Sequence, residues 1–151
     1  MRYLHMVIKE TLRLFPPVPI IFRKAHEEIT LSSGRVVPAG VSIAVPIICI
    51  QRDPQYWGTD AKHFDPERFL PERVQGVTSN AFLPFSCGAR GCPGYELGIL
   101  MVKVAVSSIL RKYKIVEKPA PGPVPNIETK FEVTLKPENN FEIEIIKRIK
   151  A

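Results

Sequence analysis

The sequence predicts a mainly α fold with small β-sheets. Two segments, near 4–15 and 94–113, repeat apolar residues at helical spacing. Between and after them lie short β-branched runs bounded by turn residues, and a long proline-punctuated stretch with no sustained period. The 151 residues, 45% of them hydrophobic, suffice for one domain with a core.

Leu4, Val7, Ile8, Thr11, Leu12 and Phe15 form one face of a first helix, which Pro16-Pro17 ends. Its pattern is already running at Leu4 with no capping residue ahead, as in a chain that starts inside something longer. Pro17-Val18-Pro19 drives an extended run into Ile20, Ile21 and Phe22. Glu28–Leu31 and Arg35–Val37 flank Ser32-Ser33-Gly34 and read as a short hairpin. Val41–Ile50 reads as a buried strand up to Pro46, then a turn or short helix.

Residues 51–93 are irregular, and so long an irregular stretch is expected to be functional. Gly94–Tyr113 is a long helix, apolar except for a narrow stripe of Glu96, Lys103, Ser107 and Arg111. Two charges near its middle favour a protein core over a membrane, although 151 residues offer little to surround it. Glu117–Asn126, with four prolines, reads as a surface linker. Alternation at Phe131, Val133 and Leu135, and at Phe141, Ile143 and Ile145, predicts a C-terminal hairpin turning at 137–140.

Composition excludes several functions. The net charge is +6 with no basic stripe, which argues against a nucleic-acid partner. Cys49, Cys87 and Cys92 are odd in number and lack C-x-x-C spacing, so neither a complete disulfide framework nor a four-cysteine zinc site is available.

Chemistry concentrates in Phe85-Ser86-Cys87-Gly88-Ala89-Arg90-Gly91-Cys92-Pro93-Gly94. A thiolate is a soft, strongly donating metal ligand. Glycines let the backbone approach a flat cofactor. Amides at the start of the following helix favour a thiolate, and an arginine forks onto a carboxylate. The plainer alternative is an inert buried cysteine in a glycine-rich turn.

Phe85-x-x-Gly88-x-Arg90-x-Cys92-x-Gly94 resembles the haem-thiolate signature of the cytochrome P-450 family. Glu10-Thr11-Leu12-Arg13 is similar to the family's E-x-x-R, and Pro66-Glu67-Arg68-Phe69 to its P-E-R-F. E-x-x-R alone would mean only a surface ion pair. The three in this order carry the resemblance. It implies the C-terminal part of that fold: the E-x-x-R helix, an irregular meander, the cysteine loop, a long buried helix and a C-terminal hairpin. On this reading residues 1–151 are the C-terminal portion of one domain.

The resemblance implies haem b as cofactor, with Cys92 as axial ligand and catalytic residue. Phe85, Gly88 and Gly94 would bind the cofactor with Cys92, and Arg90 and Arg23 would meet haem propionates. Glu10, Arg13 and Arg68 would form a buried network pinning the irregular stretch. Val18, Pro19, Ile20 and Ile21, and the tip Lys136–Asn140, match substrate-lining stretches. The alternatives are a solvated strand-end arginine at Arg23, ordinary packing for 18–21 and an ordinary turn for the tip.

By the same resemblance, closest to animal microsomal and insect members, the activity is monooxygenation. One atom of O2 enters an apolar substrate such as a fatty acid or xenobiotic. Electrons come from an NADPH-dependent flavoprotein reductase at the cytosolic face of the endoplasmic reticulum membrane, which is reached only through an N-terminal anchor. The competing expectation is a truncated, non-catalytic product that does not hold haem stably. Gln51, Gly91, Glu96, Gly98 and Met101 depart from common family choices, Gln51 standing where many relatives have histidine.

Overall fold

A computed structural model describes residues 1–76, 79–116, 127, 129–138 and 143–148. The expected linker at 117–126, Asn139 and Asn140 of the expected tip, and Phe141 lie outside them.

Helix α1 spans Arg2–Leu14, as the apolar period predicts. Its buried face is different from the expected stripe. Met6, Ile8, Glu10, Arg13 and Leu14 are buried, while Thr11 of the stripe is exposed and Leu4, Val7, Leu12 and Phe15 are half-buried. A charged face goes inside because partners waiting there satisfy each charge, which apolar periodicity cannot register.

Strand β1 (Ile21–Lys24) pairs antiparallel with β4 (Ser42–Val45), Arg23 lying opposite Ile43. The excursion between them carries the expected hairpin, β2 (Ile29–Thr30) with β3 (Val36–Val37). β4 is less buried than expected, because among the described residues its ladder is shared with β1 alone and its side chains alternate between exposed and half-buried. Pro46 then opens α2 (Ile47–Ile50), whose Ile47 is buried.

The irregular stretch is a series of short turns built by one repeated device. Asp53 caps α3 (Pro54–Trp57) by accepting from the Gln55 N–H at 2.9 Å. Asp65 caps the 3-10 turn Pro66–Phe69 by accepting from the Glu67 N–H at 3.0 Å. In both, proline takes the first helical position, where its missing N–H costs nothing. α4 (Pro71–Val74) follows. Trp57, Ala61, Phe69 and Ala81 pack with Met6 of α1 into the core; Phe69 makes tilted contacts with Trp57 and Phe82, and Trp57 meets Phe82 edge-on. The meander therefore wraps the first helix.

α5 (Tyr95–Lys112) is the second long helix as expected, but it is not buried as expected: Ile99 alone of its residues is buried, because the described residues supply few elements to pack on its other faces. Leu97, Leu100, Met101 and Val104 are exposed. Among the described residues no helix is long and apolar enough to cross a membrane.

The C-terminal pairing differs from the expected 131–135 with 141–145. β6 (Thr129–Phe131) turns at 132–134 and pairs with β7 (Leu135–Pro137), placing Lys130 opposite Lys136. Glu132 bridges those lysines at 3.2 and 2.9 Å, which neutralises a repulsive cross-strand pair and holds the earlier turn. Their hydrogen bonds keep its carboxyl below the usual range, Lys136 contributing most. β8 (Glu144–Lys147) pairs instead with β5 (Tyr113–Val116), directly after α5. Arg148 reinforces that pairing by donating from Nε to the carbonyls of Leu110 and Tyr113 at 2.9 and 3.1 Å.

Candidate functional site

Glu10 and Arg13 lie one turn apart on α1, and both are fully buried. Arg13 donates from Nε to Glu10 Oε2 at 2.7 Å and from Nη2 to Oε1 at 2.8 Å. Its Nη1 reaches the carbonyls of Gln51 and Ala61, each at 2.7 Å, and Nη2 reaches that of His63 at 3.2 Å. All five N–H groups of the guanidinium are thereby used. Its plane also covers Trp57, 4.9 Å from the ring centre.

Glu10 accepts in addition from the Asp65 N–H at 2.9 Å. Arg68 brings a second cation, its Nε 3.6 Å from Glu10 Oε1, which is a charge contact too long for a hydrogen bond. The rest of Arg68 donates to the carbonyls of Trp57 and Asp60 at 3.0 and 2.7 Å. It also pairs with the Asp60 carboxylate, and this hydrogen bond is the main reason that carboxyl sits below its usual range. The structure thus brings Glu10, Arg13 and Arg68 together and ties them to the backbone of residues 51–65 by hydrogen bonds.

The cysteine loop runs from Leu83 to Gly94. Ser86 N–H donates to Leu83 O at 3.0 Å, and Cys92 N–H donates back to Phe85 O at 2.9 Å, closing the loop on itself. Gly88 opens a 3-10 turn, Gly88–Arg90, with φ 69°, where a Cβ would meet nothing within 4 Å but the backbone itself would be strained. A Cβ on Gly91 would come within 3.2 Å of Gly88 O. Cys92 is exposed, two positions ahead of the Gly94 cap of α5. Phe85 packs edge-on against Tyr95, with ring centres 5.0 Å apart, and so anchors the loop to the helix.

Two grooves flank this loop and share Pro84, Phe85, Ser86 and Cys92 as walls. The larger, about 300 Å³, is completed by Leu12, Pro17, Val18, Ile21, Ile47 and Arg90. It joins the sulfur, a cation and apolar walls from α1, the following segment and α2. Of the expected substrate-lining residues, Val18 and Ile21 line it. Pro19 is buried, its carbonyl accepting from the Ile48 N–H at 3.1 Å, and Ile20 is half-buried outside the lining. Of the C-terminal tip, Lys136 bonds Glu132. The adjacent Leu135 N–H donates to Pro17 O at 2.7 Å, which holds β7 beside the groove. Arg23 donates from Nη2 to Ser86 Oγ at 2.9 Å, at the loop.

A flat, apolar, iron-bearing ring with anionic substituents requires a soft axial donor, apolar walls and cations at the rim. An exposed thiol, a groove rich in aliphatic and aromatic side chains, Arg90 on its lining and Arg23 at the loop fit that requirement. Two side chains that sequence reasoning gave no role, Ser86 and Gln51, prove to be junctions of the site. The sequence signals were slight: a non-glycine residue in a glycine-rich loop, and an uncharged amide beside Arg52-Asp53.

The profile of the family described as Cytochrome P450 matches residues 1–145. A relative from Drosophila melanogaster named Cytochrome P450 4g1 is 38% identical over 149 residues, covering 98% of this chain and 26% of its own. Another from the same insect, Probable cytochrome P450 313a2, is 45% identical over 113 residues, covering 75% of this chain and 23% of its own. The crystal structure of cytochrome P450DA heme domain superposes with a TM-score of 0.82 at 25% identity, over 96% of this chain and 31% of that one. The chain therefore spans under a third of the length of these relatives.

Proposed function

The chain belongs to the cytochrome P450 family, and on that premise we propose that residues 1–151 are the cysteine-bearing C-terminal portion of a haem domain. The whole protein is a monooxygenase that inserts one oxygen atom of O2 into an apolar substrate such as a fatty acid or xenobiotic. Haem b is the cofactor. Electrons come from an NADPH-dependent flavoprotein reductase. The site of action is the cytosolic face of the endoplasmic reticulum.

The observation that carries this reading is the exposed Cys92 thiol on the wall of the apolar groove, with Arg90 on the same lining. A bound haem supplies the oxygen-activating iron. Cys92 holds that iron by a thiolate, a stronger and softer donor than an alcohol or imidazole. Arg90 and Arg23 would hold its carboxylate substituents by charge-assisted hydrogen bonds, Arg23 with the N–H groups left over from its bonds to Ser86 and the Phe22 carbonyl. Val18 and Ile21 on the groove wall favour an apolar substrate.

Cys87 is also exposed and five positions away, so the test separates the two thiols. In the full-length protein, Cys87→Ala is expected to keep the red-shifted Soret band of the ferrous carbonyl complex. Cys92→Ser is expected to lose that band together with monooxygenase activity. The opposite pattern would overturn the assignment.

The exposed apolar residues of α5 favour a second reading for residues 1–151 on their own, as a product that does not hold haem stably. A broad, non-cooperative melt with dye binding supports it, and a sharp two-state transition with a full haem complement refutes it.

A further inference from the structure

We propose that Gln51 is a positioning residue for the cysteine ligand, an inference that rests on the haem-thiolate reading above. Gln51 is fully buried, and its amide is hydrogen-bonded at both ends. Nε2 donates to the carbonyls of Leu12 and Arg13, both at 3.0 Å. Oε1 accepts from the Leu83 N–H at 2.8 Å. The amide orientation follows from this network: flipped, it would set an oxygen against two carbonyls and an NH2 against an N–H.

The three bonds join two parts of the molecule that the chain keeps 70 positions apart, the last turn of α1 and the entry to the cysteine loop. At the α1 end the coupling is reciprocal. Gln51 donates to the Arg13 carbonyl, and Arg13 donates to the Gln51 carbonyl at 2.7 Å. Gln51 thus reads the position of the Glu10–Arg13 pair. At the other end, Leu83 continues the connection to the sulfur. Its carbonyl accepts from Ser86, and the adjoining Phe85 carbonyl accepts from Cys92, at 3.0 and 2.9 Å. A route of hydrogen bonds, joined by the covalent backbone at Leu83 and at the Phe85–Ser86 peptide, therefore runs from the buried ion pair through one amide to the backbone of Cys92.

A residue with this placement sets the height of the loop, and so the direction in which Cys92 presents its sulfur. Loss of the Leu83 bond frees the loop entry while leaving Glu10, Arg13 and Arg68 paired. The consequence would belong to the ligand: a displaced Cys92 would take a proton from solvent and leave the iron as a neutral thiol, while haem stays bound.

The experiment uses the haem-loaded full-length protein with Gln51→Leu, Gln51→Glu and Gln51→His. Leucine keeps volume and removes all three bonds. Glutamate keeps the acceptor for Leu83 but turns the two donors into a buried charge facing carbonyls. Histidine offers one donor and one acceptor, enough to span one carbonyl and Leu83. The readout is the fraction of bound haem giving the red-shifted ferrous-carbonyl band, normalised to total haem, and its rate of conversion to the blue-shifted form.

The expected result for Gln51→Leu is conversion about tenfold faster than the parent, with Gln51→His returning to within about threefold. A normal band and conversion rate per bound haem in Gln51→Leu, whatever its total haem, overturns the inference and leaves a merely structural role. If Gln51→Leu yields no haemoprotein, the contrast between His and Glu decides. A lasting band per bound haem in both His and Glu, which keep the acceptor for Leu83, supports the inference, and rapid conversion in both overturns it; where only one keeps the band, conversion in His, the uncharged variant, overturns it and a lasting band in His supports it. A parent protein that lacks the band overturns the haem-thiolate reading itself, and this inference with it.

Discussion

Arg23 donates from Nη2 to the Ser86 hydroxyl at 2.9 Å, which joins β1 to the cysteine loop across 63 positions of sequence. Among the described residues Ser86 is the one non-glycine with positive φ, at 62°. Left-handed backbone costs a side-chain-bearing residue about 1 kcal/mol or more. The hydroxyl bond to a cation offsets that strain and holds the guanidinium at the loop.

Ser86→Ala and Ser86→Gly separate the two effects. Both lose the bond to Arg23, but glycine also releases the strain. The glycine variant is expected to be more stable than the alanine variant by about 1 kcal/mol. Urea denaturation of the haem-loaded protein measures the difference, and an alanine variant at least as stable as glycine contradicts the strain argument.

Arg13→Lys is expected to fail almost as fully as Arg13→Ala. Arg13 makes five hydrogen bonds in a planar fork, and lysine brings three donors from one point. Removing one partner of a buried ion pair costs about 3–5 kcal/mol, a large share of a domain's margin. Either variant should purify without haem, judged by the ratio of Soret to protein absorbance. A normal ratio would show that the pair is dispensable.

Gly98 lies inside α5, where a Cβ would touch the Phe85 ring at 3.6 and 3.8 Å, an ordinary packing distance. Alanine there adds a contact and reduces the freedom of the unfolded chain. Gly98→Ala is expected to stabilise by about 0.5–1 kcal/mol, read from the urea midpoint. Destabilisation would mean that Phe85 cannot tolerate the methyl group.

Stability is expected to fall on mild acidification through His5. Burial, and then Lys103 and Lys9, hold its pKa below the ordinary 6.5, against an opposing pull from Glu96. The unfolded chain therefore binds the proton more readily than the folded one. The contribution is complete above about pH 6.5 and is lost as pH falls through the lower folded value. His5→Gln should flatten the part of the profile that begins at about pH 6.5 and runs to more acid values, followed by urea denaturation at a series of pH values. An unchanged slope would place the titrating group elsewhere.

The sequence by itself determined the two long helices, the first hairpin, the turn-rich meander and the cysteine loop. Each is written in local terms: apolar period, proline and glycine position, or a short motif with defined spacing. The contact of Glu10 with Arg13 and Arg68, and the nearness of Phe85, Arg90 and Cys92 on one groove, were legible for the same reason. Only the tertiary structure decided which face of α1 goes inside, because burying Glu10 and Arg13 depends on carbonyls from residues 51–63 that no local pattern announces. It also decided the C-terminal pairing. There the Lys130–Glu132–Lys136 bridge selects the tight turn, and β5 at the end of α5 offers β8 an open edge. The roles of Gln51 and Ser86 belong to the same class. A glutamine or serine is chemically ambiguous in sequence, and becomes specific only when long-range folding places a carbonyl, an amide or a guanidinium within 3 Å of it.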